Sequence, residues 1–139
     1  MKTDHIELYV PDREEAAGWY GRVLGFEIME NHRAWAVPGG PLMITNDGGD
    51  TMIALFEGPA QGAEPARGLR RLAFRVGGHA FVEFIASSGH WRTPPLGPDD
   101  IGDHEKAISV YFTDPYGTPL EVTTYEPQVA REGLGRNLS

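Results

Sequence analysis

Apolar and polar residues alternate along Ile6, Leu8 and Val10 against His5, Glu7 and Tyr9, which predicts a strand with one face in a core and the other turned to something polar. Asp12 then offers a helix N-cap, with Glu15 three residues on as its box partner. Ala16, Tyr20, Val23 and Leu24 follow at helical spacing, and Gly25 stops the helix. Short β-rich runs come next at Phe26–Glu30, Ala34–Val37, Leu42–Thr45 and Thr51–Phe56, separated by Pro38-Gly39-Gly40-Pro41 and Asn46-Asp47-Gly48-Gly49. The first part of the chain therefore reads β-α-β-β-β.

The same order returns after a Gly/Ala/Pro-rich stretch. Leu69–Val76 predicts a strand, and His79–Ser88 a helix with Phe81, Phe84 and Ile85 on one face and Gly89 as its stop. Two β-rich runs, Ile108–Thr113 and Leu120–Tyr125, flank Asp114-Pro115-Tyr116-Gly117 and predict a hairpin, because Pro presets φ and Gly tolerates positive φ. Aligning Ile53-Ala54-Leu55 with Leu120-Glu121-Val122, and His5-Ile6-Glu7-Leu8 with Arg71-Leu72-Ala73-Phe74, needs offsets of 67 (53 to 120) and 66 (5 to 71). The chain is thus expected to contain two copies of one β-α-β-β-β unit. The expected division of the single 1–139 domain is a first module over 4–58, a linker over 59–68, a second module over 69–126 and a polar C-terminal tail over 127–139 that frays.

Bulk properties narrow the function. The 139 residues suit one domain of ordinary size. No apolar run approaches the roughly 20 residues needed to cross a bilayer, and no charged-then-apolar leader is seen, so a cytoplasmic protein without a membrane partner is expected. With no cysteine there are no disulfides, thiolate metal sites or cysteine nucleophiles. A formal charge of −8 argues against binding nucleic acid, which needs clustered Lys and Arg.

The C-terminal hairpin, Asp4-His5-Ile6, the helix end Trp19-Tyr20-Gly21-Arg22-Val23-Leu24-Gly25-Phe26 and the strand Leu72-Ala73-Phe74-Arg75-Val76 together resemble the vicinal-oxygen-chelate superfamily of glyoxalases, extradiol dioxygenases and fosfomycin- or bleomycin-resistance proteins. The resemblance runs from Asp4 to Tyr125. It implies an α+β fold in which two βαβββ modules form a cup-shaped mixed sheet, a cup that takes a small organic molecule, and a homodimer. It also implies metal ligands at the positions of His5, Ala54, Arg71 and Glu121.

Only His5 and Glu121 of those four are ordinary ligands. A guanidinium about 4 Å from a divalent ion costs on the order of 8 kcal/mol at an effective dielectric near 20. The expected cofactor is therefore none, the alternative being Fe, Mn, Ni or Zn held by His5 and Glu121 with further help. Arg71 and Glu121 are an ion pair replacing the metal, or a purely structural pair, or else Arg71 is left free to anchor a carboxylate or enolate. Alternation puts Tyr9, Phe56, Arg75 and Tyr111 on the same polar face as Glu121. His104, seven residues before Tyr111, loosely resembles the His and Tyr that precede the glutamate in extradiol dioxygenases.

Tyr111, His104 and Arg71 are accordingly the candidate catalytic residues, and Tyr9, Phe56, Arg75 and Trp91 the candidate ligand contacts. Trp91 sits in the Pro- and Gly-rich segment 90–103, where it either covers a ligand or packs beneath the loop. Three functions remain open. The first is a metal-independent protein that binds a small molecule, an aromatic or enolisable acid, and that turns it over or leaves it unchanged. The second is a divalent-metal enzyme of the extradiol dioxygenase or glyoxalase type, and the third a drug-sequestering resistance protein.

Overall fold

A computed structural model describes residues 1–59 and 68–137, and the chain divides into two compact units, Met1–Pro65 and Ala66–Ser139. Most of the expected linker, residues 60–67, lies outside the described residues. Each unit holds one four-stranded mixed sheet with helices, an α+β architecture.

In the first unit, β1 (Ile6–Val10) leads into α1 (Arg13–Leu24), followed by β2 (Glu27–Ile28), β3 (Leu42–Thr45) and β4 (Met52–Glu57). The sheet order is β1-β4-β3-β2, with β1 parallel to β4 and the other pairs antiparallel. α1 begins where the sequence predicts, since the Asp12 side chain accepts from the Glu15 N–H at 2.9 Å. It ends at Gly25, left-handed with φ 73°, where the amides of Gly25 and Phe26 donate to the carbonyls of Gly21 and Tyr20. Its face of Ala16, Ala17, Trp19, Tyr20 and Val23 is buried.

The expected strand Ala34–Val37 is absent. Residues Glu30–Trp35 instead form a 3-10 helix, and β2 keeps only two residues of the expected Phe26–Glu30 run. Apolar residues at 34 to 37 suit either conformation. The outcome is decided by Arg13, whose guanidinium donates to the carbonyls of Val37 at 3.0 Å, Gly40 at 2.5 Å and Ala36 at 3.3 Å, taking up acceptors that a sheet ladder would need. Arg33 holds the 3-10 helix to α1 through Glu14 at 2.9 Å and also pairs with Glu30.

In the second unit, β5 (Leu72–Arg75) precedes α2 (Gly78–Ala86), β6 (Ile101–Asp103), β7 (Ile108–Thr113) and β8 (Pro119–Thr124), in the order β5-β8-β7-β6. The register repeats that of the first unit. Ile6 sits opposite Ile53 and Glu7 opposite Ala54, while Leu72 sits opposite Leu120 and Ala73 opposite Glu121. The β7–β8 turn is tied by Asp114, whose carboxylate accepts from the amides of Tyr116 at 2.9 Å and Thr118 at 2.8 Å, with Gly117 at φ 88°.

The described residues of the tail are helical rather than frayed. Pro127–Asn137 forms α3, with Ala130 fully buried. The polar composition hides why it docks on α2: Gly78 and Gly133 let the backbones approach, since a Cβ on Gly78 would lie 2.8 Å from Val129 and one on Gly133 2.6 Å from Val82. Glu126, just before α3, also accepts from the Gly78 N–H at 2.9 Å and so satisfies an otherwise free amide at the start of α2.

Candidate functional site

Two groups of side chains stand out, one on each sheet. On the first, Glu7 of β1 lies across from Ala54 of β4, which lies across from Met43 of β3, so the three share one face. His5, just before β1, places Nδ1 2.7 Å from Asp4 and Nε2 3.3 Å from Glu7 Oε1. Its pKa is raised above the ordinary histidine value, chiefly by the hydrogen bond to Asp4 and then by that to Glu7.

Beside them is a cleft of about 260 Å³. Met43, Met52 and Ala54 form an apolar part of its lining, and His32 and Trp35 an aromatic part. In a 3-10 helix, residues three apart eclipse one another, and here this stacks the His32 and Trp35 rings at 4.2 Å and 6°. The sequence reading missed both residues because it expected a strand at Trp35 and a strand connection at His32; the usable signal was the pair of i, i+3 partners, Glu30 with Arg33 and His32 with Trp35. Tyr9 and Phe56 pair further along β1 and β4, with centroids 6.1 Å apart, outside this cleft.

On the second sheet, Ala73, Glu121 and Tyr111 form the matching cross-strand row. The Arg71 guanidinium carbon lies 4.4 Å from the centre of the Tyr111 ring, and its Nε is buried with no hydrogen-bond partner among the described residues. The Tyr111 hydroxyl is 2.7 Å from His104 Nε2. Gly102 makes room for this, because a Cβ there would lie 3.0 Å from both His104 Nε2 and Tyr111 Cε2. Arg71, Tyr111 and His104 are thus brought together. The Arg71–Glu121 ion pair is not formed among the described residues; the guanidinium turns to the aromatic ring instead.

Arg75 lies over Tyr125 at 4.7 Å. Trp91 packs against Phe84 of α2 and Phe112 of β7, at 5.6 Å and 5.4 Å. Phe112 points away from the face that carries its neighbour Tyr111, so Trp91 packs beneath its loop and does not cover Tyr111.

The four positions that the family resemblance marks as metal ligands carry only two ordinary donors, His5 and Glu121. Both His5 nitrogens already face carboxylates, Ala54 has no donor, Arg71 carries a positive charge, and Glu121 is left as one carboxylate. Among the described residues, no three His, Asp or Glu side chains gather as metal ligands. No helix among them is long and apolar enough to cross a membrane.

A sequence profile of the Glyoxalase/Bleomycin resistance protein/Dioxygenase superfamily matches residues 2–122. Among solved structures, the chain is similar to a glyoxylase/bleomycin resistance protein/dioxygenase domain from Frankia sp. EAN1pec, with TM-score 0.68 and 19% identity over 91% of this chain and 93% of that one. It is similar to lactoylglutathione lyase from Agrobacterium tumefaciens, with TM-score 0.62 and 22% identity over 88% and 92%. Oxidase ChaP-H1 matches with TM-score 0.61 and 23% identity over 89% and 95%. At such identities the likeness is one of fold. Among curated proteins, none matches the chain.

Proposed function

The chain belongs to the Glyoxalase/Bleomycin resistance protein/Dioxygenase superfamily, and from that premise we propose that it binds a small aromatic or enolisable organic acid without a resident metal ion. The observation that carries this reading is Arg71. Its half-buried guanidinium lies on Tyr111 and makes no ion pair among the described residues, so a ligand carboxylate or enolate would supply the opposite charge it lacks. Tyr111 adds a hydroxyl next to that charge, and His104 at 2.7 Å fixes its direction.

The same pair sets what chemistry is open. If the Tyr111 hydroxyl passes its proton to His104 Nε2 along their hydrogen bond, the phenolate can take the proton next to the carbonyl of an enolisable acid, leaving the enolate beside Arg71 and one proton on His104 to be returned. Binding without that step is sequestration. The metal-dependent alternative is disfavoured by the donor set at residues 5, 54, 71 and 121.

A thermal-shift screen tests the reading, using small aromatic acids against their neutral amides. Acids should raise the midpoint more than amides, and Arg71→Ala should remove the difference. Equal stabilisation of wild type and Arg71→Ala by acids rejects the anchor. Elemental analysis finding about one Fe, Mn, Ni or Zn per chain, lost on substituting Glu121, rejects metal independence. Turnover of a bound acid, tested in wild type and His104→Ala, separates catalysis from sequestration.

A further inference from the structure

Arg131 of α3 makes its hydrogen bonds at the end of the second sheet. Its guanidinium donates to both oxygens of Asp103 at 2.8 Å and to the Glu105 carbonyl at 3.1 Å. Those two residues flank His104, whose imidazole meets the Tyr111 hydroxyl at 2.7 Å. The geometry points to Arg131 as a positioning residue for that pair: it grips the turn of residues 103 to 107 and so keeps the His104 ring on Tyr111. The inference rests on the reading of Tyr111 and His104 as the proton path of a bound acid.

The turn has reason to need a grip. His104 opens the loop between β6 and β7, and it and the next two residues are exposed. Glu105 has φ 68°, in the left-handed region that residues with a Cβ seldom adopt. Local bonds help, since the Glu105 N–H donates to the Asp103 carboxylate at 2.9 Å, the Lys106 N–H to the His104 carbonyl at 2.8 Å and the His104 N–H to the Ala107 carbonyl at 2.9 Å. All three lie within the hairpin itself. Arg131 reaches it from another element and, among the described residues, bonds neither His104 nor Tyr111, so it acts on their pair through the backbone.

Its direction of approach fits that role. Asp103 lies across from Ile108, which is 1% exposed, so its side chain is directed to the helix-covered face. Gly102, one step earlier, lies across from Ser109 on the face that carries Tyr111, and makes the room in which His104 and Tyr111 meet. α3 has its own seat without Arg131, through buried Ala130, the approach of Gly133 to Val82 and the bond from the Gly78 amide to Glu126. The planar fork can therefore serve the turn, holding two carboxylate oxygens and a carbonyl at once. The first module has no counterpart of α3 among the described residues, and there Met43 stands across from Ala54 where Tyr111 stands across from Glu121.

The test is NMR of the full chain without ligand, reading the His104 ring nitrogens and the nuclear Overhauser contact between the His104 and Tyr111 rings. Arg131→Ala should weaken that contact at least about twofold and move the His104 Nε2 signal towards its position in Tyr111→Phe, where the hydroxyl is gone. The contact of Val82 with Gly133 reports whether α3 stays docked. Arg131→Lys keeps the charge that attracts Asp103 but lacks the fork, so it should loosen the ring pair with α3 in place. For an acid that is turned over, kcat should fall about tenfold in Arg131→Ala with KM changed by less than about twofold. Two results overturn the inference: a ring contact and Nε2 signal unchanged in Arg131→Ala, or loosening there only when the Val82–Gly133 contact is lost, with Arg131→Lys like wild type. Failure of acid binding at Arg71 would leave the loss of the ring contact standing, because it is read without ligand. An unchanged ring contact would leave standing any acid stabilisation that Arg71→Ala removes.

Discussion

The two modules share a register yet carry opposite chemistry at matching positions. Ile6 opposite Ile53 corresponds to Leu72 opposite Leu120, and all four are aliphatic. One step away, Glu7 opposite Ala54 corresponds to Ala73 opposite Glu121, so acid and alanine trade places, and His5 is answered by Arg71. The helix-covered face of each sheet is constrained by burial, which requires apolar residues at every second position. The other face is buried only in part, with Met43 and Ala54 covered but Glu7 and Ala73 exposed, so its side chains can differ between copies, giving a carboxylate-flanked imidazole in one and an aromatic-backed guanidinium in the other.

If the shared register is what makes the modules equivalent, truncating matched core positions should cost similar amounts. Ile53 and Leu120 are 1% and 0% exposed. Ile53→Ala and Leu120→Ala should each destabilise by about 2–5 kcal/mol in chemical denaturation, through lost burial and the cavity left behind. A loss in one module below about 1 kcal/mol would break the equivalence.

The modules differ in α3, which among the described residues belongs to the second unit alone. Gly133→Val places a branched side chain where even a Cβ is 2.6 Å from Val82. It should destabilise by about 1–3 kcal/mol and lower hydrogen-exchange protection in α2 and α3, leaving β1–β4 protected as before. Uniform loss of protection would show that α3 is not a separate addition to the second module.

Much of this was legible in the sequence. The repeat offset put His5 and Arg71, and Ala54 and Glu121, in equivalent places, and strand alternation put Tyr111 beside Glu121. What was not legible depended on contacts far apart in sequence. Arg13 decides the conformation of residues 36 to 40, and glycine spacing together with Glu126 docks a helix whose composition looks like a loose tail. A pair between Arg71 and Glu121 was one expectation, because their charges are opposite. The guanidinium is instead turned by the Tyr111 ring, a choice of side-chain direction that strand alternation does not specify.

A smaller effect tests the anion side of the comparison. Gly102→Ala puts a Cβ 3.0 Å from both His104 Nε2 and Tyr111 Cε2. His104 is exposed and can swing away, so stability should change by no more than about 1 kcal/mol, the worth of one hydrogen bond. Binding of the acid should survive through Arg71, while any turnover that needs the Tyr111–His104 pair should fall further than affinity does. Equal falls in both would assign the pair to binding alone.

The smallest effect is a pH dependence in the docking of α3, in the second module. Arg131 of α3 donates to both oxygens of Asp103 at 2.8 Å, and that pair, helped by the Glu105 amide, holds the Asp103 carboxyl at about 2, against an ordinary value of 3.8. A carboxyl depressed in the folded state favours folding above its unfolded value, and the contribution disappears as pH falls through the folded one. Both groups are solvent-exposed, so the consequence should be local to the end of α3 rather than a change in global stability. Hydrogen exchange in α3 should therefore be slower in wild type than in Asp103→Asn at pH 5, and the difference should close between about pH 4 and pH 2. Arg131→Ala should remove it throughout. A wild-type advantage that persists unchanged at pH 2 would mean that Asp103 acts by shape and neutral hydrogen bonding, with its charge contributing nothing to the docking of α3.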